Sequence, residues 1–208
     1  VGKLKNNNVD TGAGLERLAI MLQGKDNVYE TDLFTPVMEQ IKSLSINYNL
    51  KSARIVADHI RAATFLINDG VIPSNTDRGY ILRRLLRRAV RHADLLGLPA
   101  GTLNNLNSTV ASIYESVYPE IKNNLSNIQT EVKKEEERFR KTLVRGLREL
   151  EFIAHKLDEN NTDNSIKRTR LSGLEAFNLY QTYGFPIEIT LEICREKNIE
   201  VDIEDFQN

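Results

Sequence analysis

The chain has 208 residues, of which 40% are hydrophobic and 27% are charged, and its formal net charge is −1. This composition is typical of a soluble globular protein with one large or two modest domains, and it excludes a uniformly basic, histone-like chain. The single cysteine, Cys194, excludes an internal disulfide and fits a reducing cytoplasm. No apolar run has membrane-spanning length, and no signal peptide is visible. Because residue 1 is valine rather than methionine, we expect a piece of a longer protein.

Hydrophobic periodicity predicts a chain that is mainly α-helical. A short extended segment over residues 4–10 leads into a first helix over about 14–22. The next predicted helices cover residues 29–46, 53–68, 81–97, 103–117 and 120–157. The polar residues 158–169 are expected to form a surface loop or hinge. Two C-terminal helices follow, the first opened by a capping box that begins at Ser172 and the second opened by Pro186.

Residues 83–91 contain five arginines that fall on one half of a predicted helix, and the other half is apolar. No acidic residue offsets their mutual repulsion before Asp94. Arginine without interleaved acids favours the interpretation that this surface faces the phosphates of a polyanion. The alternative is a helix face whose acidic partners come from elsewhere in the fold. The apolar half is expected to be core and consists of Leu82, Leu85, Leu86, Ala89, Val90 and Ala93.

Other charged features are interpreted as structural. The run Lys-Lys-Glu-Glu-Glu-Arg at residues 133–138 is expected to be a solvated face of the long helix. Asp58 and His59 have no partner nucleophile in the sequence, and we expect this pair to tie its helix to the N-terminal helix. His92 and His155 are far from His59 in the sequence, and none of the three has metal-ligand spacing, so no metal site is predicted.

Gly12 and Gly14 lie where the extended segment enters the first helix, in the sequence Val-Asp-Thr-Gly-Ala-Gly-Leu-Glu-Arg at residues 9–17. Glycine at such a junction lets a phosphate or a flat ligand lie against the backbone, and the helix N-terminus carries positive potential. Arg17, one turn into the helix, is within reach of a triphosphate. A Gly-x-Gly pair alone is a weak signal that fits phosphate binding and a tight turn equally well.

Residues 9–17 also resemble motif 3 of the class II aminoacyl-tRNA synthetases, in the form used by the alanyl-tRNA synthetase family. The resemblance continues in the family's order through later blocks and covers essentially the whole chain. These blocks are Tyr-Glu-Thr-Asp-Leu-Phe at 29–34, Val-Ala-Asp-His-Ile-Arg at 56–61, Pro-Ser-Asn-Thr-Asp-Arg-Gly-Tyr-Ile-Leu-Arg-Arg at 73–84, and Leu-Tyr-Gln-Thr-Tyr-Gly-Phe-Pro at 179–186. Several long motifs in register are far more specific than any one of them.

The resemblance implies a division of the chain into parts. Residues 1–24 would be the C-terminal end of the class II catalytic domain, a short strand and helix that remain from its antiparallel sheet. Residues 25–118 would be the helical tRNA-recognition region with the arginine-rich helix, and residues 119–208 the long helix with a C-terminal helical region. Arg17 would contact ATP, and Asp10 would lie in the alanine pocket. The ATP- and alanine-binding residues would be Asp10, Gly12, Gly14 and Arg17.

The resemblance also implies binding of the tRNA(Ala) acceptor stem, with its G·U wobble pair recognised by Asn75 and Gln181. Many members of the family have aspartate where this sequence has Gln181. A wobble pair leaves the guanine 2-amino group free in the minor groove, and a glutamine amide oxygen accepts from it without the charge of a carboxylate. A nearby acid such as Glu188 is the alternative acceptor. The other expected tRNA contacts are Arg78, Arg83, Arg84, Arg87, Arg88 and Arg91.

The enzymes of this family ligate alanine to tRNA with ATP and Mg²⁺; class II motifs 1 and 2 precede motif 3, and an editing domain with a zinc site follows. We therefore expect a fragment of a cytoplasmic enzyme, inactive by itself, with no cofactor of its own and with neither DNA nor a membrane as partner. Two alternatives stay open: a stand-alone helical RNA-binding module without catalysis, and a helical protein that pairs through its long helix. Glu135 and Gly146 interrupt the apolar seam of that helix and weaken the second alternative.

Overall fold

The computed structural model describes residues 6, 8, 11–159 and 170–207, and the side chains of all of these except 157–159. Helices dominate it, which confirms the predicted mainly α fold. Two short strands, β1 (Arg170–Leu171) and β2 (Glu200–Val201), pair in parallel. The helices are α1 (Leu15–Leu22), a 3₁₀ turn (Val28–Glu30), α2 (Thr35–Leu44), α3 (Leu50–Asn68), α4 (Asp77–Leu95), α5 (Thr102–Tyr114), α6 (Pro119–Asn123), α7 (Leu125–Glu159), α8 (Gly173–Tyr183), α9 (Ile187–Glu196) and α10 (Ile203–Gln207).

The observed helix α1 confirms the helix predicted over residues 14–22. The predicted extended segment before it is mostly outside the residues that the structure describes. Apart from residues 6 and 8, the segment over 4–10 lies outside the described residues, and so does Asp10. Among the helices that the structure describes, none is both long enough and apolar enough to cross a membrane.

The core is one contiguous cluster of buried apolar side chains that runs through α2 to α9. α3 and α4 make the most extensive contact between any two elements, and α4, α5 and α8 all pack on α7. The apolar half of α4 is buried as predicted, with Leu82 and Ala89 inaccessible to solvent, although Leu85 is only half-buried. The arginine-rich helix therefore lies in the middle of the molecule, with neighbours on several sides.

Residues 170–207 fold back on themselves. β1 and β2 pair near the two ends of this stretch, with Leu171 opposite Val201, while α8 and α9 lie between the strands and α10 packs on α8. The predicted capping box is confirmed, because Ser172 N–H donates to Glu175 Oε2 at 3.0 Å and the Ser172 hydroxyl accepts from the Glu175 N–H. The short sheet and α10 are absent from the sequence prediction, since elements of two and five residues have no detectable periodicity.

The helix predicted over residues 29–46 is wrong at both ends. Its first residues form a separate 3₁₀ turn, which the hydroxyl of Thr31 closes by donating to the carbonyl oxygen three residues earlier at 2.6 Å. α2 begins only at Thr35, because Pro36 lacks an N–H group and suits the first turn of a helix. The helix ends at Leu44, before the predicted residue 46.

Two further predicted helices start differently. α3 begins at Leu50 rather than at residue 53, because the side-chain oxygen of Asn49 accepts from the Ser52 N–H at 3.0 Å and caps the helix. The long helix predicted from residue 120 is interrupted at Asn124, so α6 and α7 are separate helices. α7 continues beyond the predicted end, to Glu159, and residues 160–169 of the predicted loop lie outside the described residues.

Arg61 of α3 anchors α1 to the core. Its guanidinium donates to Glu16 of α1 at 2.6 Å and lies over the Phe34 ring at 4.9 Å. The hydrogen bond from Arg61 lowers the pKa of the Glu16 carboxyl below its usual value. The prediction that the 58–59 pair ties α3 to the N-terminal helix is wrong, because His59 Nε2 lies 3.2 Å from Arg88 Nη1 of α4.

Gly146, in the middle of α7, allows the connection between α8 and α9 to lie directly against that helix. A Cβ atom at Gly146 would lie 2.9 Å from Phe185 Cζ and 2.9 Å from Tyr183 Cβ, closer than two carbon atoms pack. The Phe185 side chain is completely buried there, with its ring 5.9 Å from that of Phe139. The glycine that interrupts the apolar seam is therefore a docking point within the chain.

We predict that Gly146→Ala lowers the free energy of unfolding by about 1–3 kcal/mol, because overpacking at the Phe185 ring exceeds the gain in helix propensity of about 1 kcal/mol. Urea unfolding of the 208-residue chain, followed by circular dichroism, measures the change. The control is Val144→Ala, two residues earlier at an exposed position of the same helix, which should change stability by less than about 0.5 kcal/mol. An increase in stability of Gly146→Ala would show that the methyl group is accommodated.

Candidate nucleic-acid interface

A cavity of about 410 Å³ lies between α4, α7 and the connection from α8 to α9. Asn75, from the loop before α4, and Gln181, from α8, are both exposed and both line it. The structure thus brings together the two residues that the family resemblance pairs. The rest of the lining is rich in arginine and in hydroxyl groups, and consists of Tyr80, Arg83, Arg87, Arg138, Thr142, Tyr180, Thr182, Tyr183, Gly184 and Pro186.

The loop that carries Asn75 folds back onto the first turn of α4. Ser74 N–H donates to the Gly79 carbonyl oxygen at 3.1 Å. A Cβ atom at Gly79 would lie 2.5 Å from the Ile72 carbonyl oxygen, so only glycine permits this approach. Arg83, one turn further along α4, donates to Asn75 Oδ1 and to the Pro73 carbonyl oxygen, the latter at 3.2 Å. Asn75 is therefore held at the edge of the cavity by the helix that it precedes.

Arg87 joins three segments of the chain around the floor of the cavity. Its Nε donates to Glu135 Oε1 of α7 at 2.7 Å, its Nη1 donates to the Gly184 carbonyl oxygen, and its guanidinium lies 5.2 Å from the centre of the Phe139 ring. Gly184 ends α8 with φ +69°, and a Cβ there would lie 3.2 Å from Arg87 Cζ. Glycine is required both for the left-handed turn and for the close approach of the arginine.

Glu135 is shared by the arginines of the cavity. Its side chain is 3% exposed, and besides Arg87 it lies 3.4 Å from Arg83 Nε and 3.7 Å from Arg138 Nη1. The prediction that residues 133–138 are a solvated face is wrong for Glu135 and for Glu136, which is also buried. The available signal was spacing, because these acids follow Val132 by three and four residues and therefore continue its buried line.

Three further arginines of α4 meet the acidic face of α9. Arg84 pairs with Glu188 at 2.5 Å, Arg88 with Glu192 at 3.2 Å, and Arg91 with Glu196 at 2.7 Å. A second cavity, of about 570 Å³, lies on this side and is lined by Lys51, His59, Arg84, Leu85, Arg88, Glu188, Leu191, Glu192, Arg195 and Glu196. Because Glu188 faces this second cavity, the structure does not place it with Asn75 and Gln181.

The prediction of an uncompensated basic strip is wrong, and the alternative of acidic partners from elsewhere in the fold is confirmed. Arg87 and Arg91 are only 9% and 5% exposed, and their partners stand 48 and 105 positions away in the sequence. The side chains of Arg84 and Arg88 remain 33% and 31% exposed, and Arg78 is exposed at the start of α4. The accessible positive charge is therefore confined to the ends and edges of the helix.

The N-terminal motif is open to solvent where the structure describes it. Gly14 precedes the first residue of α1 without a side-chain cap, and Gly12, Gly14 and Arg17 are all exposed. No atom lies within 4 Å of a Cβ built at Gly12, so packing within the described chain does not require glycine there. An uncapped helix N-terminus with a glycine approach and an arginine fits a phosphate. Within the described ranges, no three His, Cys, Asp or Glu side chains form a group suited to a metal ion.

Glu192 is the acidic centre of the contact between α4 and α9. His92 Nε2 lies 3.2 Å from Glu192 Oε1, while Arg88 and Lys51 approach the same carboxylate at 3.2 and 3.7 Å. The close contact with His92, followed by the hydrogen bond from Arg88, holds the pKa of Glu192 far below its usual value of 4.5. A carboxyl whose pKa is depressed by folding stabilises the folded state above its unfolded pKa, and that contribution is lost as pH falls.

We predict that Glu192→Gln removes part of the acid sensitivity of the fold. The wild-type chain should lose stability as pH falls below about 4.5, the usual pKa of this carboxyl, and the variant should be less stable at pH 7 and lose less on acidification. Urea unfolding between pH 3 and 7 gives the comparison. Glu151→Gln, at an exposed position of α7, is the control and should follow the wild-type curve. Parallel curves for Glu192→Gln and wild type would contradict the assignment.

Comparison of the sequence with known proteins identifies its family. The family model described as tRNA synthetases class II (A) matches residues 1–208. The chain is 47% identical to an alanine–tRNA ligase of Prochlorococcus marinus subsp. pastoris over 98% of its own length and 23% of that protein. It is 44% identical to the alanine–tRNA ligases of Thermotoga petrophila and Fusobacterium nucleatum, again over 98% of its length and over 23% and 24% of theirs.

The chain thus spans about a quarter of the length of the curated relatives that it matches. The match nevertheless extends over both cavities, the loop that carries Asn75, and α8 with Gln181, so it covers every element that builds the candidate interface. The chain belongs to the family of the class II (A) tRNA synthetases.

Proposed function

We propose that this chain is the part of an alanine–tRNA ligase that recognises the acceptor stem of tRNA(Ala). The observation that carries the proposal is the cavity that Asn75 and Gln181 share, with arginine side chains around it. Amide groups suit hydrogen bonding to base edges, and arginines suit the flanking phosphates. The Gln181 amide oxygen would accept from the free 2-amino group of guanine in the G·U pair, in place of the aspartate of many relatives.

The proposed phosphate contacts follow exposure rather than sequence position. Arg78, Arg84 and Arg88 retain exposed side chains on α4, and Arg138, from α7, is 66% exposed at the rim of the first cavity. Arg83 borders the same cavity with a side chain that is 13% exposed. Arg87 lines the floor but is held by Glu135, and the burial of Arg91 argues against a phosphate contact.

The proposal extends to the whole protein through the N-terminal motif. Residues 1–24 would complete the end of the catalytic domain, with Asp10 in the alanine pocket, Gly12 and Gly14 beside the adenylate, and Arg17 on ATP. Bound ATP with Mg²⁺ would supply the adenylyl group that activates the alanine carboxylate, with pyrophosphate as the leaving group. The exposed Arg17 side chain would hold phosphate oxygens by charge. Residues 25–118 and 119–208 would form the two walls of the RNA site. The parent enzyme would act in the cytoplasm, and zinc would belong only to a separate editing domain.

The second candidate function is a stand-alone RNA-binding module without catalysis. It is favoured by one observation: both cavities are built entirely from residues between Lys51 and Glu196, without a contribution from the N-terminal motif. The two functions differ in the role of Arg17, which a stand-alone module does not need. Loss of aminoacylation with unchanged RNA affinity in Arg17→Ala of the complete protein supports the ligase; RNA binding without any aminoacylation by the complete wild-type protein supports the module.

We predict that the 208-residue chain binds an RNA hairpin with the tRNA(Ala) acceptor-stem sequence, with an affinity that falls steeply with salt. Arg78→Gln and Arg138→Gln should each reduce the slope of log Kd against log salt by about one phosphate's worth, because each removes one exposed cation. Fluorescence anisotropy between 50 and 300 mM KCl measures the slopes.

The control for these variants is Lys133→Gln, on α7 but outside both cavities, which should leave the slope unchanged. Arg91→Gln tests the other side of the proposal: it should lower stability without changing the slope, because its guanidinium is buried against Glu196. An equal reduction of the slope by Arg91→Gln and Arg78→Gln would place the RNA surface on the α9 side.

We further predict that the 208-residue chain shows no alanine-dependent exchange of pyrophosphate into ATP. Arg17 offers one cation, whereas in-line attack of alanine on the α-phosphate requires that phosphate to be positioned and neutralised as well. In class II enzymes that task belongs to motif 2, which none of the sequence blocks resembles. The positive control is the complete alanine–tRNA ligase of a relative under the same conditions, and robust exchange by the pure chain would contradict the proposal.

A further inference from the structure

We infer that Arg83, supported by Glu135, is a positioning residue that fixes the Asn75 amide with its oxygen turned inward, so that Asn75 offers only N–H donors to a ligand in the cavity. The inference rests on the proposed function and concerns how the base pair is recognised. It assigns to Arg83 and Glu135 a role in specificity that differs from a phosphate contact and from a purely structural ion pair.

Two of the three guanidinium nitrogens of Arg83 donate hydrogen bonds, and the third lies near a carboxylate without a hydrogen bond. Nη1 donates to Asn75 Oδ1, Nη2 donates to the Pro73 carbonyl oxygen at 3.2 Å, and Nε lies 3.4 Å from Glu135 Oε1. The side chain is 13% exposed, so most of it is enclosed by these partners. The two Nη groups therefore hydrogen-bond to the loop that carries Asn75, while Nε faces the long helix α7.

The chemistry of the two side chains decides which way the amide points. Arginine has five N–H donors and no acceptor, and it stays protonated in proteins. If the Asn75 amide were rotated by half a turn, its NH₂ group would face the guanidinium, donor against donor, and a charge-assisted hydrogen bond would be lost. The amide oxygen is thus committed to Arg83, and the NH₂ group is the end that remains for a ligand.

Glu135 makes Arg83 a fixed support. The carboxylate is nearly completely buried and is held by Arg87, whose Nε and Nη2 both lie 2.7 Å from Oε1. Arg87 is held in turn by the carbonyl oxygen of Gly184, the residue that ends α8. A continuous series of contacts therefore runs from the Asn75 amide to the end of the helix that carries Gln181, and the two sides of the cavity are held relative to each other.

A division of labour between the two amides follows. The minor-groove edge of a G·U pair presents one free donor, the guanine 2-amino group, among acceptors such as guanine N3 and the ribose hydroxyls. Asn75, as a donor, matches one of the acceptors. The amide of Gln181 is exposed, and no hydrogen bond to it from the described residues fixes its orientation, so its oxygen is free to accept from the 2-amino group. Recognition of the amino group belongs to Gln181 alone.

The test combines variants with the removal of a single group from the RNA. An acceptor-stem hairpin with G·U is compared with the same hairpin carrying inosine, which lacks the 2-amino group, by anisotropy with the 208-residue chain. Inosine should weaken binding by about fivefold in the wild-type chain and in Asn75→Ala, and should have no effect in Gln181→Ala. Loss of the inosine effect in Asn75→Ala would overturn the inference, because Asn75 would then be the acceptor.

Arg83→Lys tests the positioning role. Lysine keeps the charge but presents one nitrogen in place of the two Nη groups that separately bond the Asn75 oxygen and the Pro73 carbonyl. The preference for G·U over G·C should therefore fall by about threefold or more, with little change in salt dependence. Arg138→Lys is the matched control, since Arg138 borders the same cavity and the same Glu135 without contacting Asn75, and it should keep the preference.

The outcomes separate the two proposals. A wild-type preference for G·U that Arg83→Lys leaves intact overturns the positioning role while the proposed function stands. Equal binding of the G·U and G·C hairpins by the wild-type chain contradicts the proposed function, and the inference falls with it. If Arg83→Lys unfolds, as checked by urea unfolding, the inosine comparison in Asn75→Ala decides alone, because Asn75 is an exposed loop residue.

Discussion

The candidate interface depends on one buried carboxylate, that of Glu135. A carboxylate that is 3% exposed persists only if it is paired, since an unpaired buried charge costs several kcal/mol. Arg87 is the closest of its partners, and the same guanidinium holds the carbonyl oxygen at the end of α8. The long helix, the arginine-rich helix and the C-terminal unit thus meet at one ion pair, and the shape of the first cavity follows from that meeting.

The arginines of α4 serve two purposes that their sequence spacing does not separate. Arg87 and Arg91 are buried and form ion pairs with acidic residues of α7 and α9. The side chains of Arg78, Arg84 and Arg88 remain partly accessible to solvent. Pairing with acids in the fold explains how a helix with so many arginines folds despite their repulsion. It also confines the accessible positive charge to a smaller set of positions on the helix.

The sequence predicted the elements that depend on local signals. The apolar half of α4 and the capping box at Ser172 follow from spacing alone, and the meeting of Asn75 with Gln181 follows from the family resemblance. The acidic partners of α4 were out of reach, because they stand 48 to 105 positions away and only the tertiary fold brings them close. Glu135 was misinterpreted because its charged neighbours in the sequence masked its position on the buried line of α7.

The pairing of β1 with β2 closes residues 170–207 into a single folded unit. Gln181, on α8, lines the first cavity, and Glu192, on α9, pairs with α4 on the opposite side. Because the two strands join the ends of this stretch, the residue that lines the first cavity and the residue that pairs with α4 belong to one folded unit, and α4 is enclosed between them.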